Sequence, residues 1–339
     1  MSTQGNVGAI FKDGIVIDGL VAGNHGEDLI RHLRDCEMTA GNWTVAGHSD
    51  DVASALLRME GVRWVVGRLP DRALIVENAD DVARAKREGR YGILMGFQGA
   101  EPIGHEFHLV AVFWRLGLRV LGLTYNERNL LGDGCLEPEN RGLTHYGIQI
   151  VRDCNSLGVL VDLTHAGERT SLDAIAISTK PCIFSHSNPV ATRANPRNVT
   201  DGQMKAAAEN GGVTCLSAFS DFVGDTKGGR RPTLDELTRQ IEYAVDLVGT
   251  DHVGIGSDIT IGHGGAAWWD NNTRRRYPEI TGGMTGETHN ILGYDDYKGI
   301  HRVAEGLLNR GYAPGDVRKI LGGNLQRVLT AVLPRGAQS

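Results

Sequence analysis

Apolar positions along the chain fall in short continuous runs, each followed by a polar or glycine-containing turn and then by a stretch with helical spacing. Eight such runs stand out: Gly14–Leu20, Met38–Val45, Gly92–Gln98, Val120–Tyr125, Val159–His165, Pro181–Ser187, Gly211–Phe219 and His252–Asp258. Runs of this length that are apolar at both alternating positions mark parallel strands covered on both faces. Eight strand–helix units predict a (β/α)8 TIM-type barrel, an α/β sheet closed on itself. An open, doubly wound sheet is the competing architecture, and no GxGxxG follows the first run to support it.

The intervening helices are also legible. Residues 144–157 carry Ile148, Val151 and Leu157 at helical spacing, which predicts that these three face the core. Residues 233–249 open with Thr233 and Glu236 at capping-box spacing and end on Gly249. Residues 295–311 and 314–330 read as two closing helices, with Gly322, Gly323 and Asn324 expected as a packing feature near the barrel mouth. The least patterned stretch, 262–294, follows the eighth run and reads as a loop-rich insertion beside the active site. Within it, Trp268 and Trp269 would form an apolar wall over a ligand or bury a subunit contact. With no linker-like segment, residues 1–339 read as one barrel domain.

Charge and cysteine usage narrow the class. A net charge of −6, with no basic run, argues against nucleic acid as a partner. No apolar stretch approaches the roughly 18 residues of a membrane helix. The five cysteines are odd in number and form no CxxC pair, the usage of a reducing compartment. Together with an N-terminus lacking a signal-like apolar core, this points to the cytoplasm.

In a (β/α)8 barrel, the catalytic groups project from the C-terminal ends of the strands. Here the fifth run ends in Asp162-Leu163-Thr164-His165, the sixth in Ser185-His186-Ser187 and the eighth in Gly256-Ser257-Asp258. Two imidazoles and a carboxylate at one mouth suit a divalent metal and the activation of its bound water. Asp162, three residues before His165, alternates to the opposite face and reads as a supporting group.

The motifs LGVLVDLTH (157–165), SHSNP (185–189) and PRNVTDGQMKAAAENGGV (196–213), supported by LGLTYNERN, VGTDHVGIGSD and ILGGNLQRVL, resemble the membrane (renal) dipeptidase family of zinc peptidases. The likeness runs in order from about residue 14 to about residue 330. It implies that His165 and His186 bind one zinc of the family's binuclear pair. It also implies that Asp258 handles the catalytic water and that Arg197 grips a substrate carboxylate. Family members often associate as homodimers, which the resemblance extends to this chain.

The departures from that pattern matter as much. The family's first strand ends in a DGHxD-like sequence whose His and Asp bind the other zinc; here the stretch is Asp18-Gly19-Leu20-Val21-Ala22. The Glu that bridges the two metals is Gln98, and a substrate-contacting His is Tyr125. A neutral amide is a weak ligand and cannot offset two adjacent divalent cations.

A binuclear site is therefore not expected. One divalent ion, zinc by default, would sit on His165 and His186, with His263, Asp258 or Gln98 completing the set; His25 and His48 are further replacements, His25 the better placed. A metal-free site working through His165, His186, Asp258 and Tyr125 is the alternative.

The resulting expectation is a hydrolase acting on an amide or peptide-type bond of a small polar, carboxylate-bearing molecule. Asp258 and Tyr125 would be catalytic, and Arg197, Gln98 and Asn126 would contact substrate. A lyase or isomerase on the same barrel, and a ligand-binding protein without turnover, are the competing classes.

Overall fold

A computed structural model describes residues 3–23, 25–261 and 265–336. The strands in chain order are β1 (Ile17–Gly23), β2 (Ala40–Gly47), β3 (Ala73–Ile75), β4 (Tyr91–Gln98), β5 (Leu118–Gly122), β6 (Leu160–Asp162), β7 (Ile183–Phe184), β8 (Val213–Leu216), β9 (Val253–Ile255) and β10 (Ile259–Ile261). All described pairings between them are parallel, and their order runs β10-β1-β2-β4-β5-β6-β7-β8-β9. Each of the eight apolar runs contributes to this circuit. The last run ends too early: it contains β9, which pairs with β8, but β10, just beyond Asp258, pairs with β1, so one strand interrupted at Gly256-Ser257-Asp258 closes the barrel. The result is a nearly closed (β/α)8 barrel. Hydrophobic patterning did not reveal β3, a three-residue strand that pairs with β4 outside the circuit.

The lower end of the barrel is plugged by the helix Asn324–Val332. Leu325, Val328, Leu329 and Val332 pack with Ile17, Leu94, Val120, Leu160 and Val213 in one buried cluster. Asn324 donates from Nδ2 to the carbonyls of Thr250 and Val253, at the start of the eighth strand. A Cβ on Gly322 would lie 2.5 Å from the carbonyl oxygen of Ile15, just before β1. The Gly322-Gly323-Asn324 turn therefore serves close packing at the closed end of the barrel, opposite the mouth where it was expected.

Two helices follow their sequence signals with one correction. Leu234–Val248 is capped by Thr233 and Glu236 in a reciprocal capping box and ends on Gly249. His145–Leu157 starts on its Thr144 cap, but it buries Gly147, Ile150, Val151 and Cys154, while Ile148 and Leu157 are only half-buried. The small residues Gly147 and Cys154 allow close approach, which shifts the packed face from the one its largest side chains suggested. Residues 265–294 are folded back over the mouth, where Trp269, Tyr277, Ile280 and Met284 pack on Phe219 and Phe222. Among the described residues no helix is long and apolar enough to cross a membrane.

The mouth leaves no room at the break in the eighth strand. A Cβ on Gly256 would lie 1.7 Å from the carbonyl oxygen of Ser185, whereas exposed Gly8 has nothing within 4 Å. Gly256→Ala is expected to lower folding stability by about 3 kcal/mol through forced backbone movement. Gly8→Ala, inside the helix Thr3–Asp13, should raise it by about 0.5–1 kcal/mol. Paired thermal denaturation of the two variants checks the contrast.

Candidate active site at the barrel mouth

Two buried carboxylates below the mouth organise it. Asp162, at the end of β6, accepts from the main-chain N–H of Thr164 at 3.0 Å and of Ser185 at 3.1 Å on one oxygen. Its other oxygen accepts from the Ser185 hydroxyl at 2.5 Å. Asp18, on β1, repeats the arrangement with the N–H groups of Leu20 and Ser257 and with the Ser257 hydroxyl. In each case the residue after the serine is a predicted site residue, His186 or Asp258. Burial pushes both carboxyls up, Asp18 to about 7, while the accepted hydrogen bonds pull the other way.

The clamp at Asp162 also sets the histidine's proton. The Ser185 hydroxyl is spent on Asp162, so its oxygen accepts from His186 Nδ1, 2.7 Å away. His165 Nδ1 lies 2.7 Å from the Asn126 side-chain oxygen, to which it donates. In the tautomers with both Nδ1 atoms as donors, each ring would turn a lone pair outward through Nε2, and those two Nε2 atoms lie 3.1 Å apart. Facing lone pairs at this separation repel unless a cation or proton lies between them. Two nitrogens each about 2.0–2.1 Å from a tetrahedral zinc would be separated by roughly 3.3–3.4 Å, slightly more than the 3.1 Å found here.

The remaining predicted residues gather at the same place. Gln98 Oε1 is 3.0 Å from His165 Nε2, and its Nε2 donates to Thr44 Oγ1 at 2.5 Å. Arg197 is only 3% exposed, and its guanidinium lies 3.5 Å from His165 Nε2 and 3.4 Å from the His186 carbonyl. It has no carboxylate partner among the described residues. Tyr125 stacks on His165 with ring centroids 4.0 Å apart, and His48 stacks on the other face of Tyr125 at 4.2 Å. Burial and the nearby Asp258 carboxylate raise the Tyr125 phenol above its ordinary value, which keeps it protonated at neutral pH. Asp258 lines the cavity with His165 and Arg197; burial lifts its carboxyl to about 7 against the pull of Arg197, with Asp18 adding to the rise.

His165 and Asp258 both take left-handed backbone angles, φ +69° and +56°. Non-glycine residues pay for that conformation, and it recurs where function over-determines geometry.

Other expectations fare differently. His25 stacks on Trp43 at 4.8 Å, so His48 rather than His25 joins the wall of the site. His263 lies outside the described residues. Trp269 is part of the mouth's apolar wall. The five cysteines are unpaired thiols. Sequence reasoning missed Asp18, Ser185 and Ser257, although an Asp in each strand and a Ser before each site residue were visible signals. It also missed Phe219, Phe222 and Tyr277, which only the fold brings together.

The donors at the mouth are few. Among the described residues no group of three or more His, Cys, Asp or Glu side chains is placed to hold a metal. Leu20 and Ala22, at the end of β1, offer no ligand atom. What remains is two imidazole lone pairs and the Gln98 amide oxygen.

Comparison with known proteins agrees with this architecture. Residues 30–282 match the membrane dipeptidase family, peptidase family M19. Dipeptidase tcpJ of Claviceps purpurea is 27% identical over 315 residues, 92% of this chain and 68% of that protein. An amidohydrolase from Pseudomonas aeruginosa is 33% identical, with a TM-score of 0.87 over 96% of this chain and 98% of that one. A metallo peptidase from Rhodobacter sphaeroides, liganded with a phosphinate mimic of the dipeptide L-Ala-D-Ala, superposes with a TM-score of 0.78 at 21% identity, covering 94% of this chain and all of that one. On the extent of these matches, the chain belongs to the membrane dipeptidase family (peptidase family M19), a family of hydrolases.

Proposed function

We propose that this protein is a dipeptidase-like hydrolase with a remodelled site, cleaving an amide bond in a small carboxylate-bearing molecule with the help of one divalent ion, zinc by default. The observation that carries the reading is the 3.1 Å approach of two imidazole Nε2 atoms whose Nδ1 sides are both committed to hydrogen bonds. His165 and His186 would hold the ion, with Gln98 Oε1 beside them. Bound there, it supplies Lewis acidity and lowers the pKa of water.

The chain's own groups do the rest. Arg197, buried and without a carboxylate partner among the described residues, receives the substrate carboxylate in a charge-assisted, two-pronged contact. Asp258 takes the proton from the attacking water and returns it to the leaving nitrogen. The Tyr125 ring holds the plane of His165 by stacking. The unpaired cysteines suit a reducing compartment, which supports a cytoplasmic protein as part of this reading.

Three outcomes are expected. Elemental analysis of purified protein should find one divalent ion per chain, lost in His165→Ala and in His186→Ala; two tightly held ions would refute the one-ion site. Asp258→Asn should lower kcat/KM by about 10²–10⁴-fold. Because Asp258 must be ionised to accept a proton and burial raises its carboxyl, wild-type kcat/KM should fall as pH is lowered and Asp258 takes up a proton. An acid limb unchanged in Asp258→Asn would remove Asp258 from the role of base. Arg197→Gln should weaken carboxylate binding by about 10²-fold, read by calorimetric titration.

A further inference from the structure

The cavity above His165 has two unlike halves. One side presents Arg197, Asp258 and Gln98; the other presents Phe219, Phe222, Trp269, Tyr277 and Ile280. Its volume, about 180 Å³, lies below that of a drug-sized pocket and marks a site for a small molecule.

Arg197 fixes how such a molecule lies. Its guanidinium carbon sits 5.2 Å from the centre of the Phe222 ring, at the seam between the two halves. A carboxylate gripped there sets the neighbouring carbon, and any side chain on it, against the aromatic wall. Apolar surface placed on that wall is removed from water, whereas a polar or charged side chain would lose its hydration without a partner.

The charges limit the other end of the ligand. Asp258 is the one carboxylate among the described residues lining this cavity, and the reading above already engages it in proton transfer. Arg197 is already a buried positive charge. A free ammonium in so small a space would stand close to the guanidinium with no second carboxylate to offset it. A neutral acyl group meets no such penalty.

We infer that the ligand class of this site is the N-acyl amino acid with a compact apolar side chain: a monocarboxylate without a free amine, and thus not a dipeptide. The inference rests on the hydrolase reading above for the roles of Arg197 and Asp258. In the reaction it implies, the oxygen of water bonds to the acyl carbon and the carbon–nitrogen bond breaks. The nitrogen leaves as an amine carrying the proton, giving a carboxylic acid and a free amino acid.

The test is a matched pair. N-propionyl-DL-leucine and glycyl-DL-leucine have the same number of non-hydrogen atoms and differ in a methyl against an ammonium group. Calorimetric titration of the protein as purified should find the propionyl compound bound at least about 10-fold more tightly. N-propionyl-DL-aspartate should bind more weakly than the leucine compound by a similar factor. Phe222→Ala and Ile280→Ala should each shrink the leucine-over-aspartate preference, and Ile280→Ala carries the point if Phe222→Ala fails to fold.

Glycyl-leucine binding as well as the propionyl compound, or all three failing to bind at millimolar concentration, would overturn the ligand class. Release of free leucine, followed in the same samples, separates the two claims. Tight binding of N-propionyl-leucine without leucine release sinks the hydrolase reading and leaves the ligand class standing. Preferential cleavage of glycyl-leucine does the reverse.

Discussion

The geometry of this site depends on two carboxylates that never face the cavity. Asp18 and Asp162 each bridge neighbouring strand ends by accepting two main-chain N–H groups and one serine hydroxyl. Charge-assisted bonds of this kind are about twice as strong as neutral ones and fix direction as well as distance. Because the bonded serine immediately precedes His186 in one clamp and Asp258 in the other, the clamps place both residues at the mouth. The Asp162 clamp does more: it consumes the serine proton and so dictates which nitrogen of His186 is left free. These bonds do not fully offset burial. Asp18 and Asp258 have carboxyls lifted to about 7, well above the usual carboxylate value. Between that usual value and about 7 the folded chain binds protons that the unfolded chain has released. The site therefore costs stability as pH rises through this window, and the cost is absent at lower pH.

Above the clamps, the site is held by shape. His165 is pressed between Asn126 at its Nδ1 and the Tyr125 ring at its face, with His48 behind Tyr125. The left-handed backbone at His165 is held in place by these side-chain contacts. The segment 265–294 then roofs the mouth with Trp269, Tyr277 and Ile280 against Phe219 and Phe222. Apolar burial supplies the stability of this roof, and the same surface becomes one wall of the cavity.

Much of this was legible in the chain, and the reasons for the gaps are physical. Eight apolar runs became eight barrel strands because two-sided burial writes a continuous pattern. Ala73–Ile75 escaped notice because three residues carry too little periodicity to be read. The helix His145–Leu157 was found but its packed face was misjudged, since close packing on Gly147 and Cys154 leaves no hydrophobic signature. The strand-end residues His165, His186 and Asp258 stand out through the barrel rule that places chemistry at C-terminal strand ends. Which end of the barrel a distant turn reaches is a tertiary matter, and Gly322-Gly323-Asn324 accordingly lies at the opposite end from the one expected. His25 and His48 follow adjacent strands and looked alike in sequence. Only the direction each ring takes, toward Trp43 or toward Tyr125, distinguishes them.

The changes that set this chain apart from the family's two-metal pattern form one electrostatic event rather than several. A carboxylate at position 22 or 98 is tolerable in a buried mouth while a second divalent ion neutralises it. Without that ion it would be an unpaired charge beside Asp258, whose own carboxyl is already raised to about 7 by burial and by Asp18. In the one-ion site proposed above, the uncharged Ala22 and Gln98 avoid such unpaired carboxylates. Arg197 is the counterpart: with fewer fixed anions nearby, its buried guanidinium has no standing partner among the described residues and stays available to an incoming carboxylate. The chain's own charges lining the cavity are thus one anion, Asp258, and one cation, Arg197; the proposed ion would add further positive charge, an arrangement that suits the anionic ligand inferred above.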